Sequence, residues 1–137
     1  MLVKRSLYAL VAHRGVGGAA WPWLGAALAK TDRIVVGTGV TAPILRYNPA
    51  VVAQVFATLG YMFPGRIFLG LGIGESLNEV LAGTSWPSNQ ERFERLEEAI
   101  KLIKLLWMED WVTFRGKYIR SRTQTSTPNR CSQFQYS

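Results

Sequence analysis

The stretch from Arg66 to Val80, R-I-F-L-G-L-G-I-G-E-S-L-N-E-V, limits the folds open to this chain more than any other. Ile67, Phe68, Leu69 and Leu71 form a short apolar run, and Gly70, Gly72 and Gly74 follow in a G-x-G-x-G beat. The first polar groups, Glu75 and Asn78, arrive only after the last glycine, while Leu77 and Val80 resume a helical spacing. An uninterrupted apolar run suits a parallel strand with both faces covered. The pattern therefore predicts a buried strand, a tight glycine turn and a helix. It sets Glu75 and Asn78 at the strand's C-terminal edge, where α/β folds keep their chemistry.

A second strand precedes this one. Arg33–Val40 is rich in β-branched residues, which favour the extended state. Thr41, Ala42 and Pro43 then leave the strand. Asn48 suits a helix N-cap and Pro49 a first helical position. Val52, Val55, Phe56, Leu59 and Phe63 share one face of the next helix, and Pro64-Gly65 ends it. Strand, helix, strand in this spacing is a parallel βαβ unit. If the two strands are neighbours, Gly39-Val40-Thr41 and Ile73-Gly74-Glu75 lie on the same edge.

On either side the signals are uneven. Residues 19–30 are alanine-rich and apolar, with Trp23, Ala27, Leu24 and Leu28 expected to face inward. Further on, Ser88 and Glu91 form an S-x-x-E capping box. Phe93, Leu96, Ile100, Ile103 and Trp107 repeat at 3-4-3-4 spacing behind it, and Glu91–Arg95 and Glu97–Lys101 are i,i+4 pairs on the polar side. Trp111–Phe114 and Arg115-Gly116-Lys117-Tyr118 read as a small β-hairpin, and every pattern stops after Ile119. The expected organisation is an atypical segment 1–18, an α/β segment 19–118 and a basic, disordered tail 119–137.

The formal charge of +7 belongs to the two ends. Lys4, Arg5 and Arg14 stand before Ala19, and Arg115, Lys117, Arg120, Arg122 and Arg130 stand after Phe114, with no acid in either region. The tail lacks interleaved aromatic and basic residues, so a solvated tail is favoured over nucleic-acid binding. Lys4-Arg5 before Leu7–Ala12 hints at a signal peptide, but no clean small-residue cleavage site comes after it and a cytoplasmic protein is expected. No apolar run reaches membrane-spanning length, so no membrane partner is expected. One cysteine, Cys131, and one histidine, His13, make neither an internal disulfide nor a zinc site of usual spacing, and no metal is expected.

The glycine beat invites a dinucleotide-binding reading, but that fingerprint is G-x-G-x-x-G with an acid about 20 residues on, and Glu75 here follows the last glycine directly. The glycines also serve simply to permit a tight turn. Glu75 reads either as a functional carboxylate or as a first-turn acid favoured by the helix dipole. Asn78 reads either as a ligand-binding amide or as an ordinary turn residue.

Three blocks carry a resemblance. G-T-G-V-T-A-P-I-L-R-Y-N-P-A-V-V-A-Q-V-F-A-T-L (37–59) and P-G-R-I-F-L-G-L-G-I-G-E-S-L-N-E-V (64–80) resemble consecutive strand and helix segments of the luciferase-like flavin and deazaflavin oxidoreductases. The helix at 86–107 and the V-T-F-R-G-K-Y hairpin are similar to the next helix and hairpin of that family. The R-Y-N-P-A and G-E-x-L-N-E blocks resemble the branch using coenzyme F420, which includes glucose-6-phosphate and alcohol dehydrogenases. The resemblance spans roughly residues 19–118. It implies an α/β chain forming part of a (β/α)8 barrel, and hydride transfer between an alcohol or sugar-phosphate and the deazaflavin. It implies a non-proline cis peptide at Gly39-Val40 behind the deazaflavin ring. It further implies cofactor contacts from Ala42, Ile73, Gly74 and Asn78, and a proton-accepting role for Glu75. Ala42 stands where threonine is common in that branch.

The resemblance fades at the basic ends. The family's Asp-His pair and following tryptophan would fall near Arg5-Ser6 and Leu10, where they are absent, and His13 does not replace them by spacing. A complete barrel also needs about 250 residues. The expectation is a frame-shifted or truncated fragment that is inactive as this chain. Two alternatives stand beside it. One is a fragment of a monooxygenase using flavin mononucleotide (FMN), against which the R-Y-N-P and G-E-x-L-N-E blocks argue. The other is a non-catalytic barrel remnant that self-associates into a homo-oligomer to cover its open strand edges.

Overall fold

A computed structural model describes residues 7–11, 19–80, 83 and 85–124. The expectations for Arg5-Ser6, His13, Cys131 and residues 125–137 fall outside the described residues.

Ile34, Val35 and Val36 open β2 (Ile34–Thr38), the middle strand of a sheet ordered β1-β2-β3. β1 (Leu7–Val11) and β3 (Ile67–Phe68) flank it, and both pair with it in parallel. Leu7 lies opposite Ile34 and Val11 opposite Thr38, while Val36 and Gly37 face Ile67 and Phe68. The segment 7–11, which carried no clear strand signal, is thus a full neighbour of β2. The later strand is shorter than its apolar run suggested. The ladder breaks beside Gly39–Val40, a cis peptide, and resumes as one bridge between Thr41 and Leu71.

Each pair of strands is joined through a helix, α1 (Ala20–Ala29) before β2 and α2 (Pro49–Met62) before β3. Asn48 caps α2 as expected, its side-chain oxygen accepting the Ala50 N–H at 2.8 Å. Val52 and Phe56 are fully buried on the α2 face that meets the sheet, with Ala53 and Leu59 beside them. In α1, Leu24 and Leu28 point into the core, but Trp23 is 55% exposed and Trp21 packs against the core instead. Leu24 and Leu28 are one turn apart and define the buried line, and Trp23 lies off it.

α3 (Ser76–Glu79) is the single turn after the glycines, and α4 (Asn89–Met108) is the long helix that packs on α2. Ser88 caps α4 by accepting the Glu91 N–H at 3.2 Å, while the Glu91 carboxylate is engaged by Arg95 at 2.8 Å. Glu97 and Lys101 pair as expected. The buried face of α4 is Ala99, Leu102, Ile103, Leu106 and Trp107. It is rotated from the expected stripe, whose first member, Phe93, is 58% exposed. Only the C-terminal half of α4 meets the core. There the Trp107 indole N–H donates to the Ala53 carbonyl of α2 at 2.9 Å.

The N-terminal half of α4 holds a hairpin instead. β4 (Trp111–Arg115) and β5 (Arg120–Gln124) pair antiparallel, so the second strand lies beyond Ile119, where no pattern was legible. The Glu98 carboxylate accepts three backbone N–H groups of the turn, from Lys117, Tyr118 and Ile119, at 2.7–3.0 Å. Burial pushes the Glu98 pKa up, but the three donors together outweigh it and leave the carboxyl below its usual range. Glu94 binds the Lys117 ammonium at 2.8 Å and the Tyr118 hydroxyl at 2.7 Å. Lys117, then Gln90 and Tyr118, draw the Glu94 pKa down to about 2.

Candidate functional site

The C-terminal edges of β2 and β3 open into a cleft of about 410 Å³. One wall is the segment that leaves β2. Thr38 is buried and its hydroxyl donates to the Gly70 carbonyl at 3.0 Å. The Gly39–Val40 cis peptide comes next, and the Val40 side chain is 53% exposed within the cleft. The Thr41 N–H donates to the Gly70 carbonyl at 2.8 Å, and the Gly72 N–H returns to the Thr41 carbonyl at 3.0 Å. These two bonds tie the wall to the glycine segment opposite.

That segment depends on missing side chains. A Cβ on Gly72 would sit 2.5 Å from Val40 Cγ2, so glycine is what allows Val40 its place. Gly74 has a φ of +75°, a left-handed conformation that glycine takes without strain, and it turns the chain into α3.

All seven residues singled out from the sequence line this one cleft: Gly39, Val40, Ala42, Ile73, Gly74, Glu75 and Asn78. Glu75 is exposed at the rim, ahead of the first turn of α3. Ala42 and Asn78 are both 8% exposed, so Asn78 is a buried amide and not an ordinary surface turn residue.

The cleft also contains residues that the sequence did not single out. Arg46 and Tyr47 close one end, with the Arg46 guanidinium 4.5 Å from the Tyr47 ring centroid and Trp21 4.6 Å from the same ring. Arg46 Nη1 donates to the Asn78 carbonyl at 3.3 Å. Glu79, 1% exposed, accepts the Arg46 backbone N–H at 3.0 Å. A signal for Glu79 was present, since it stands one helical turn after Glu75 and closes the G-E-x-L-N-E block. Arg46 and Tyr47 stood in the R-Y-N-P block, with nothing local to mark them as cleft residues. Among the described residues no cluster of histidine, cysteine or carboxylate groups is suited to a metal ion. Among them too, no helix is long and apolar enough to cross a membrane.

The arrangement is an apolar seat formed by Val40, Ala42 and Ile73 between backbone walls, with Glu75 and Asn78 along one side. The volume is that of a small-molecule site.

The chain is 54% identical over 111 residues to an F420-dependent glucose-6-phosphate dehydrogenase of Nakamurella multipartita, covering 81% of this chain and 33% of that protein. It is 57% identical over 96 residues to the one of Kineococcus radiotolerans, covering 70% of this chain and 28% of that protein. The chain thus spans about a third of the length of these curated relatives. Among solved structures it resembles an F420-dependent secondary alcohol dehydrogenase in complex with an F420-acetone adduct. That match has a TM-score of 0.81 and 40% identity, and covers 89% of this chain and 39% of the other. A coenzyme F420-dependent tetrahydromethanopterin reductase from Methanopyrus kandleri, 24% identical with a TM-score of 0.74, shares the fold. The parallel β1-β2-β3 segment with its helices is accordingly a partial (β/α)8 barrel. The family likeness reaches further toward both ends than residues 19–118, since the family model for luciferase-like monooxygenases matches residues 7–133. The chain belongs to the luciferase-like monooxygenase family.

Proposed function

We propose that the cleft is the deazaflavin seat of a coenzyme F420-dependent oxidoreductase acting on an alcohol or a sugar-phosphate. The observation that carries this reading is the convergence of Gly39, Val40, Ala42, Ile73, Gly74, Glu75 and Asn78 on one cleft at the C-terminal edge of two parallel strands. The names of the relatives and of the 40%-identical structure support coenzyme F420 over FMN as the ligand.

In this reading Val40, with its exposed side chain, and the Gly39–Val40 backbone would hold the ring on one side of the cleft. Ala42 and Ile73 complete the apolar seat, and the Gly74 backbone lines the opposite wall. Asn78, which lines the same cleft, would help hold the cofactor there. When bound, the deazaflavin supplies the hydride acceptor. Glu75, exposed at the rim, is the group that would accept the proton given up by a substrate hydroxyl, a role separate from cofactor binding and not required for it.

Fluorescence titration of the full chain with F420 and, separately, with FMN tests the proposal. Saturable F420 binding at least about tenfold tighter than FMN binding is expected. Tighter binding of FMN would transfer the site to the flavin branch, and binding of neither ligand would remove the reading.

A further inference from the structure

The proposed mechanism leaves one buried carboxylate unused. We propose that Glu79 is a positioning residue, whose side chain braces the glycine turn against the 42–46 segment and so sets the separation of the two cleft walls.

Glu79 is the one carboxylate among the buried residues described, at 1% exposure. Although Glu79 borders the cleft, it is almost fully enclosed and its carboxylate is engaged by the Arg46 backbone, so its effect on a ligand would pass through its neighbours. Three contacts among the described residues tie Glu79 and its surroundings together. First, Glu79 Oε2 accepts the Arg46 backbone N–H at 3.0 Å, joining α3 to a segment 33 residues earlier in the chain. Second, the Glu79 stem runs directly beneath Gly74. A Cβ at Gly74 would lie 3.0 Å from Glu79 Cγ, 3.4 Å from Glu79 Cδ and 3.2 Å from the Ala42 methyl. Glu79 and Ala42 together fill the space under the turn, and the left-handed φ of +75° keeps Gly74 seated on them. Third, Arg46 answers the same link from its side, with Nη1 donating to the Asn78 carbonyl at 3.3 Å. Two hydrogen bonds and one packed stem thus connect Ala42 and Arg46 on one wall to Gly74 and Asn78 on the other.

The brace depends on reach. The carboxylate arrives at Arg46 N only because two methylenes carry it past Gly74. An aspartate keeps the charge and falls short by one methylene. A glutamine keeps both methylenes and an acceptor oxygen while losing the charge. The two variants separate a brace from a role that requires the negative charge.

The consequence for ligand affinity rests on the deazaflavin reading, whereas the brace does not. The test therefore has two readouts on the full chain carrying Glu79→Asp or Glu79→Gln. Amide hydrogen exchange reports the brace without any ligand. In Glu79→Asp, exchange at the hydrogen-bonded amides of Arg46, Gly72 and Asn78 is expected to accelerate by about tenfold or more, with the α2 amides from Val52 to Leu59 unchanged. In Glu79→Gln these rates are expected to stay within about threefold of the unmodified chain. F420 titration is expected to follow the same order, with affinity retained in Glu79→Gln and lowered by about tenfold or more in Glu79→Asp. The proposal is overturned if Gln loosens the turn as much as Asp, if Asp leaves it unchanged, or if exchange accelerates equally through α2. If the unmodified chain binds no F420, the functional reading falls and the exchange pattern alone decides the brace.

Discussion

Thr41 and Leu71 face each other as an isolated parallel bridge just past the cis peptide, and this bridge joins the two halves of the cleft. Its hydrogen bonds, Thr41 N–H to Gly70 and Gly72 N–H to Thr41, let two strands that diverge after Gly37 and Phe68 meet again at the rim. Val40 and Glu75 reach a common cleft because of that second meeting.

Gly72→Ala is expected to disturb this meeting directly. The new methyl meets Val40 Cγ2 at 2.5 Å, so Val40 or the bridge must shift. Denaturant unfolding is expected to register a loss of about 1–3 kcal/mol, typical of overpacking. In a Val40→Ala background most of that loss should disappear, because the clashing atom has been removed.

Val40→Asp separates binding from stability. Val40 is 53% exposed, so stability should change by no more than about 0.5 kcal/mol. A charge on the apolar seat should weaken F420 binding by about tenfold or more in the same titration.

Phe56→Ala tests the core behind the site. Phe56 is fully buried on α2, and its removal is expected to cost about 3–5 kcal/mol in denaturant unfolding.

The hairpin should detach in acid. The folded-state pKa of Glu94 lies at about 2 and that of Glu98 is lowered too, against the ordinary 4.5 of a free glutamate. A carboxylate with a depressed pKa adds stability that is fully present above its unfolded pKa and is lost as pH falls through the folded one. The protection of the Lys117, Tyr118 and Ile119 amides, measured relative to their intrinsic exchange rates, should therefore be constant above about pH 5 and fall progressively as pH drops toward 2. Glu98→Ala should produce the same loss of protection at neutral pH, at a cost of about 1–2 kcal/mol for the three lost acceptor contacts.

What was legible in the sequence was local. The Asn48 and Ser88 caps, the β-branched opening of β2 and the glycine turn each announce themselves within a few residues. The parallel pairing of β2 with β3 followed from the short βαβ spacing, and with it the common edge of Gly39, Val40, Ile73, Gly74, Glu75 and Asn78, whereas Ala42 and the cofactor contacts entered only through the family resemblance. What was missed is set by distant partners. Trp23 and Trp21 are equally apolar, and only the line through Leu24 and Leu28 decides which one faces the core. Phe93 fits a helical stripe, yet the buried residues of α4 all lie at Ala99 or beyond, and the half that carries Phe93 binds the hairpin turn through Glu94 and Glu98. The sequence R-S-R-T-Q of β5 has no apolar alternation, and its strand form comes from pairing with β4. Glu79 is buried because Arg46, 33 residues away, places a backbone N–H against it.

Amide-resolved NMR titration of the full chain with F420 tests the central claim most directly. If the deazaflavin lies in the cleft, the amides of Val40, Ala42, Ile73, Gly74, Glu75 and Asn78 shift together along one saturation curve, and those of the α4–hairpin unit stay still. Shifts confined to the hairpin, or none at all, would contradict a deazaflavin seat between Val40 and Glu75.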